Sequence, residues 1–460
     1  MSTGARVRGG QDGGRLTRAD RGSSSRPGQV LTFSRRPRKP RICLGPIEIA
    51  GYYGRLTTAL RELGVDAVHV NLAPHPFCYA EAPAPPSGIR LAVWCRRRDA
   101  SHRTLPIRLG WRAVQAAASV GILVWALVRF DVFVFGFANT FLRLAELPLL
   151  RLLRKKVIFV LHGSDARPPY MNGAARRAPW NAAEVVARTR VQKLRLARIE
   201  RYADAVIADP TYCQLLERPI ILRAVIGRPI AREPRPISDI RPDGRVRVVH
   251  APSEPVGKGT SEIRRIFSRL QARGHDVDLI EIHGKPNSVV LDEIARCDFV
   301  ADQLYSDIPM ATLATEAALF GKPALVGGYA AECYRGLMPE GTVGPTVFVH
   351  PNEFEAAAER LLSDPELRDR LGREAREFVS LRCTPSGVAQ RFLRVVSGDV
   401  PDDWAYDPAT LRYTHGHGLS DDQVRDLVGA VVEAGGVTAL QLADKPELER
   451  RLVELAGGAT

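Results

Sequence analysis

The chain has 460 residues, 45% hydrophobic and 25% charged, with a formal net charge of +14. That composition is that of a soluble globular protein, and the length is too great for one ordinary core. The positive excess implies an acidic partner such as phosphates, anionic lipid headgroups or nucleic acid, but residues 1–40, with ten Lys+Arg against two Asp, supply more than half of it.

Residues 1–39 are rich in Gly and Ser and nearly free of large apolar side chains, which predicts a disordered basic tail with no signal-peptide core. "RICLG" at 41–45 reads as a strand. "GYYGRLTTALRELG" at 51–64 reads as a helix on Leu56, Ala59, Leu60 and Leu63, and "VDAVHVNL" at 65–72 as a second strand. The longest apolar run, 113–128, falls short of the ~20 residues a membrane span needs and carries Gln115 and Ser119, so a buried helix is expected there. Strands follow at 131–136, 156–163 and 204–210, with helices around 140–153 and over 188–203, and 219–227 holds room for another strand. Residues 229–244 break the rhythm with prolines and charges, as a linker does.

Beyond the linker the alternation restarts. Strands are expected at 245–251, 277–284, 298–304 and 323–328, with helices at 259–273, about 288–296, around Glu316, 363–379 and 384–396. In the tail, Ser420 with Gln423 forms a capping box, and Asp444 with Glu447 repeats that pattern. The fold class expected is therefore α/β, two doubly wound Rossmann-like domains facing a cleft. The expected divisions are a tail (1–39), a first domain (40–235), a second (236–397) and a helical extension (398–460). Seven scattered cysteines, with no CxxC pair, read as reduced cytoplasmic thiols. His415 and His417 in "HGHG" offer only two metal ligands, so a plain loop is expected.

Three stretches in order, "HAPSEPVGKGT", "DQLYSDIPMATLATEAALFGKPALV" and "LLSDPELRDRLGREAREFV", resemble the GT-B glycosyltransferases, specifically the retaining group known as family 4 or group 1. The resemblance spans about 41–396 and is carried by pattern more than by letters in the first half. It implies a nucleotide-sugar donor held in the second domain. Glu316 would accept hydrogen bonds from both ribose hydroxyls, and the backbone near Ala311, Thr312 and Leu313 would hold the diphosphate at a helix start. Lys258 would put a cation on the phosphates, with Gly259 allowing close backbone approach. The family commonly has an arginine five residues before that lysine, where this chain has Ser253. It also commonly has a glutamate eight residues before the ribose-binding one, where this chain has Ile308.

In the first domain His162 ends a strand where ligands bind, and Asp165 either contacts acceptor hydroxyls or caps a turn. The two are the candidate catalytic residues. Gly51 and Gly54 mark an acceptor-side loop or a structural turn. The function expected is retaining glycosyl transfer from a nucleotide-sugar to a glycan, lipid-linked or small-molecule acceptor, as in polysaccharide biosynthesis. The resemblance implies no metal or other cofactor, because in GT-B enzymes lysine and helix N-termini stabilise the leaving diphosphate. The expected location is cytoplasmic, with peripheral contact at the inner face of a membrane. Ser253 and Ile308 motivate a second reading, a GT-B protein that binds a nucleotide-sugar or glycan without transfer. Nucleic-acid binding is disfavoured, since no recognisable module accompanies the basic charge.

Overall fold

The computed structural model describes residues 39–72, 105–173, 181–230 and 244–457. Residues 1–38 of the basic tail and residues 231–243 of the linker lie outside the described residues. Chain order runs β1 (Ile42–Gly45), α1 (Tyr52–Glu62), β2 (Ala67–His69), α2 (Leu105–Arg129), β3 (Val132–Gly136), α3 (Leu147–Leu152), β4 (Lys156–Val160), α4 (Ala182–Tyr202), β5 (Ala205–Ala208), β6 (Ile220–Leu222) and α5 (Arg223–Ile226). These strands form one parallel sheet in the order β6-β5-β4-β3-β1-β2. Strands such as "VFVFG" are buried along their whole length because helices cover both faces of a parallel sheet.

The second half repeats the plan. β7 (Val246–His250) leads through α6 (Pro255–Lys258) and α7 (Thr260–Ala272) to β8 (Val277–Glu281). α8 (Asn287–Arg296), β9 (Phe299–Gln303), α9 (Thr312–Leu319), β10 (Ala324–Gly327) and β11 (Val347–Val349) follow. Their sheet is parallel, in the order β11-β10-β9-β7-β8. Successive residues face opposite ways: Val248, Phe299 and Leu325 pack on one side of it, Val249, Val300 and Val326 on the other. In each sheet the strand order reverses beside the first strand, between β1 and β3 and again between β7 and β9. Loops leaving those strands diverge and open a crevice. Two doubly wound halves facing a cleft are the architecture that the GT-B resemblance implies.

The remaining helices are α10 (Phe354–Ser363), α11 (Pro365–Arg382), α12 (Pro385–Ser397), α13 (Asp421–Gly435) and α14 (Pro446–Leu455). Residues beyond 384 return to the first half. Val388, Phe392, Trp404, Val424, Val428 and Leu448 join its core, and a two-residue strand, β12 (Ala405–Tyr406), pairs antiparallel with β6. A strap between β12 and α13 then threads between the halves. Gly173 N donates to His417 O at 2.8 Å, and Gly418 N to Tyr305 O at 2.9 Å. Within this strap His415 stacks on Tyr329 and its Nε2 meets Asp421 at 2.9 Å. Among the described residues no group of three His, Cys, Asp or Glu is arranged to hold a metal ion.

The helix expected to be buried around 113–128 is buried on one side only. Ser119, Ile122, Leu123 and Ala126 face the core, while Val114, Val120, Val124 and Val128 are exposed. Valines stand on the exposed side and Ser119 on the buried one, so residue type in this run does not mark which face has a neighbour. Among the described residues no helix is long and apolar enough to cross a membrane.

His69, His162, His250, His415 and His417 all titrate below the usual histidine range, because burial disfavours the imidazolium. For each, the folded pKa lies under the unfolded one, so the stability is present above about pH 6.5 and is lost as pH falls. Buried Asp165, raised to about 6, works the other way, as do Asp209 and Glu200, but the histidines outnumber them. The melting temperature should therefore rise between pH 5.5 and 7.5. A flat or falling trend in a buffer series would contradict this.

Candidate functional site

The second switch point is built from the loops after β7 and β9. After β9 the chain crosses the sheet edge and enters α9. Ser306 holds this crossing: its Oγ accepts from Gln303 Nε2 at 2.6 Å and donates to Ile308 O at 2.7 Å. Ala311 stands at the N-cap and offers no side chain to the helix start. The first backbone N–H groups of α9 therefore lack both an intrahelical partner and a cap, and their dipole favours an anion. The start of α1 differs. There Glu48 accepts from the N–H groups of Ile49 at 2.7 Å, Tyr53 at 3.2 Å and Gly54 at 2.8 Å, so its own carboxylate fills that place.

A cleft of about 230 Å³ opens at the bare helix start. Ser253, Lys258, Ala311, Thr312, Leu313 and Glu316 all line it, and Ile49 and Ala50 from the loop after β1 form the facing wall. The sequence-expected donor residues thus come together, Gly259 excepted. Glu316 is 6% exposed and its Oε1 accepts from Asn287 Nδ2 at 3.0 Å. Lys258 Nζ reaches Gln303 Oε1 and lies 3.5 Å from Asp302 Oδ1. Asp302 Oδ2 is buried without a hydrogen-bond partner and belongs to the same wall.

Gly259 turns away from the cleft. It joins α6 to α7 at φ +72°, and a Cβ there would lie 2.9 Å from Leu304 Cβ, so it serves the turn. Gly51 is left-handed as well, φ +75° at the start of α1, and Gly54 sits in the first turn of that helix against Glu48. Neither lines the cleft, although the loop they anchor does.

His162 and Asp165 follow β4 and line neither this cleft nor the cavity described below. Asp165 Oδ1 accepts from the N–H groups of His162 at 2.8 Å and Gly163 at 2.9 Å, which caps the turn. Its Oδ2 is buried without a partner. His162 Nε2 lies 2.8 Å from Tyr53 Oη, and its ring stands edge-on to Tyr52, 5.8 Å away. Burial foremost, then the charges of Arg223 and Arg228, keeps this imidazole neutral.

Sequence reasoning missed Asn287, Lys285 and Asp302, all in the cleft wall. Asn287 and Lys285 follow β8 at the carboxyl end of the sheet, a placement that marks ligand-facing loops. Asp302 was visible inside a strand as an acid among apolar neighbours.

No family model matches the chain, and no curated protein matches it. Solved structures give distant likenesses. The glycotransferase of kitacinnamycin is 15% identical with a TM-score of 0.41, over 79% of this chain and 100% of that one. Anabaena Alr3699/HepE in complex with UDP-glucose is 14% identical with a TM-score of 0.45, over 78% and 99%. The catalytic domain of Starch Synthase IV from Arabidopsis thaliana, bound to ADP and acarbose, is 10% identical with a TM-score of 0.44, over 78% and 99%.

Gly259→Ala should destabilise the fold by about 1–3 kcal/mol, from left-handed strain and the clash with Leu304. Urea unfolding measures this, and an unchanged midpoint would contradict the assignment of Gly259 to the turn.

Proposed function

We propose that the protein transfers a sugar from a nucleotide-sugar to a glycan, lipid-linked or small-molecule acceptor, with retention and without a metal. The observation that carries this reading is one cleft holding a bare helix start, a lysine and a buried carboxylate. In it, Glu316 accepts from the donor ribose hydroxyls, oriented by Asn287. The N–H groups at the start of α9 and the Lys258 ammonium meet the diphosphate. Lys285 offers a second cation on the wall where Ser253 has none. As the bond from the anomeric carbon to the phosphate oxygen breaks, these groups stabilise the charge growing on the diphosphate. The acceptor oxygen bonds to that carbon on the same face, and its proton passes to the departing phosphate. His162 and Asp165, expected as catalytic, act in this proposal as positioning residues: Asp165 fixes the loop, and neutral His162 backs Tyr52.

Glu316→Gln keeps the shape but loses charge-assisted acceptance, and should weaken nucleoside and nucleoside diphosphate alike by about tenfold or more. Lys258→Ala should weaken the diphosphate while sparing the nucleoside. Calorimetry with uridine, guanosine, adenosine and their diphosphates tests both, and equal affinities across the three proteins would remove the donor from this cleft. Binding without transfer to a broad acceptor panel would favour the non-catalytic reading.

A cytoplasmic protein touching the membrane edge-on is part of the proposal. Supporting it are the exposed valine face of α2 and the arginine-rich residues 1–40. Co-sedimentation with phosphatidylglycerol vesicles should fall on deleting residues 1–38 and again with Val124→Glu, with nucleotide binding intact. Unchanged co-sedimentation would discard membrane contact.

A further inference from the structure

A second cavity lies across the α9 entry loop from the donor cleft. Ile308, Pro309 and Met310 face it, whereas Ala311 to Leu313 face the cleft. From the first half Tyr52, Asp209, Arg223 and Arg228 line it, and from the second Arg382. Three guanidinium groups thus meet one carboxylate, and that carboxylate is engaged. Asp209 accepts from Tyr334 Oη at 2.6 Å and from Thr211 Oγ1 at 2.8 Å.

Two groups in this wall are unsatisfied. The guanidinium of Arg223, at the first residue of α5, forms no hydrogen bond or ion pair with another described residue, though the side chain is partly buried. Burial opposes its charge, but nearby Asp209 helps hold the guanidinium protonated, and its N–H donors are left for a ligand to meet. Tyr52 is 2% exposed and its hydroxyl has no hydrogen-bond partner. Buried hydroxyls are normally bonded, and this one faces the same cavity as Arg223. Ile308 adds an apolar wall and no acid to compete for the arginines. A planar guanidinium fork beside a hydroxyl donor matches the geometry of a phosphate or carboxylate.

We propose that this cavity binds an anionic group, phosphate or carboxylate, carried by the second substrate, with Arg223 and the Tyr52 hydroxyl as its principal donors. Anion binding stands on the cavity itself, and its assignment to the second substrate rests on the glycosyl-transfer reading.

The test titrates glucose 6-phosphate, glucuronate and glucose into the full chain by calorimetry. One or both charged sugars should bind saturably and glucose should not; the one that binds names the anion. Arg223→Gln should lower that affinity about tenfold or more. Tyr52→Phe should lower it several-fold while leaving the melting temperature equal or higher, because the hydroxyl removed has no partner. That variant carries the test should Arg223→Gln fail to fold. A purely structural Tyr52 predicts the reverse, a lower melting temperature at unchanged affinity. UDP, GDP and ADP titrated into the same proteins separate the two ideas. If charged sugars bind while no diphosphate does, the donor reading falls and the anion site stands. Binding of glucose as tightly as the charged sugars, no binding of either charged sugar, or equal affinity in wild type and both variants would overturn the proposal.

Discussion

A buried ion pair joins the two halves: Arg167, after β4, meets Asp307, after β9, with both side chains almost wholly out of solvent. Burial lowers the Arg167 pKa to about 10 but leaves it charged at neutral pH. Tyr413 from the strap adds a hydroxyl to Asp307 at 3.4 Å. A pair of this kind contributes little net stability, since desolvation offsets attraction, yet losing one partner strands the other charge. Its consequence here is register. The Arg167 loop also carries His162 and Asp165, and the Asp307 loop leads straight into α9, so this contact ties the two walls together, alongside the strap and the Tyr334–Asp209 bond.

Among the described residues buried polar groups without a partner are scattered, and four of them lie in or beside these walls. Tyr52 Oη, Asp165 Oδ2, Arg167 Nε and Asp302 Oδ2 are all buried without a partner. The helix starts divide the same way: Glu48 closes α1, whereas nothing caps α9. Chains tolerate such gaps chiefly where a ligand completes them. On that view the cleft at α9 and the arginine-lined cavity are two parts of one interior, separated by the loop that Ser306 pins.

The repeating βα rhythm was legible because buried parallel strands are continuous apolar runs and their helices carry a 3.6-residue period. Glu316 was legible too, as an acid in an otherwise apolar helix beside "GKP". The capping box at Ser420 and Gln423 is present, but its apparent repeat is not: Asp444 pairs with Lys193 and Lys445, and no side chain caps α14. Local patterns cannot see that competition. Nor could they place β12, two residues long, or the strap, because both depend on the chain's return to the first sheet. Arg223 looked like any other arginine in a basic chain, and Asn287 like a loop residue. Their places in the two cavity walls arise only when distant loops meet. His162 stood at the expected strand end, but Tyr53 decides where its ring points.

The central claim is that the bare start of α9, Lys258 and Glu316 form one nucleoside diphosphate site. A crystal structure of the protein soaked with UDP, GDP or ADP tests it most directly. The account predicts the diphosphate against the backbone of Thr312 and Leu313 and the Lys258 ammonium, with the ribose on Glu316. Nucleotide bound away from α9, or no occupancy in this cleft for any of the three at saturating concentration, would contradict it.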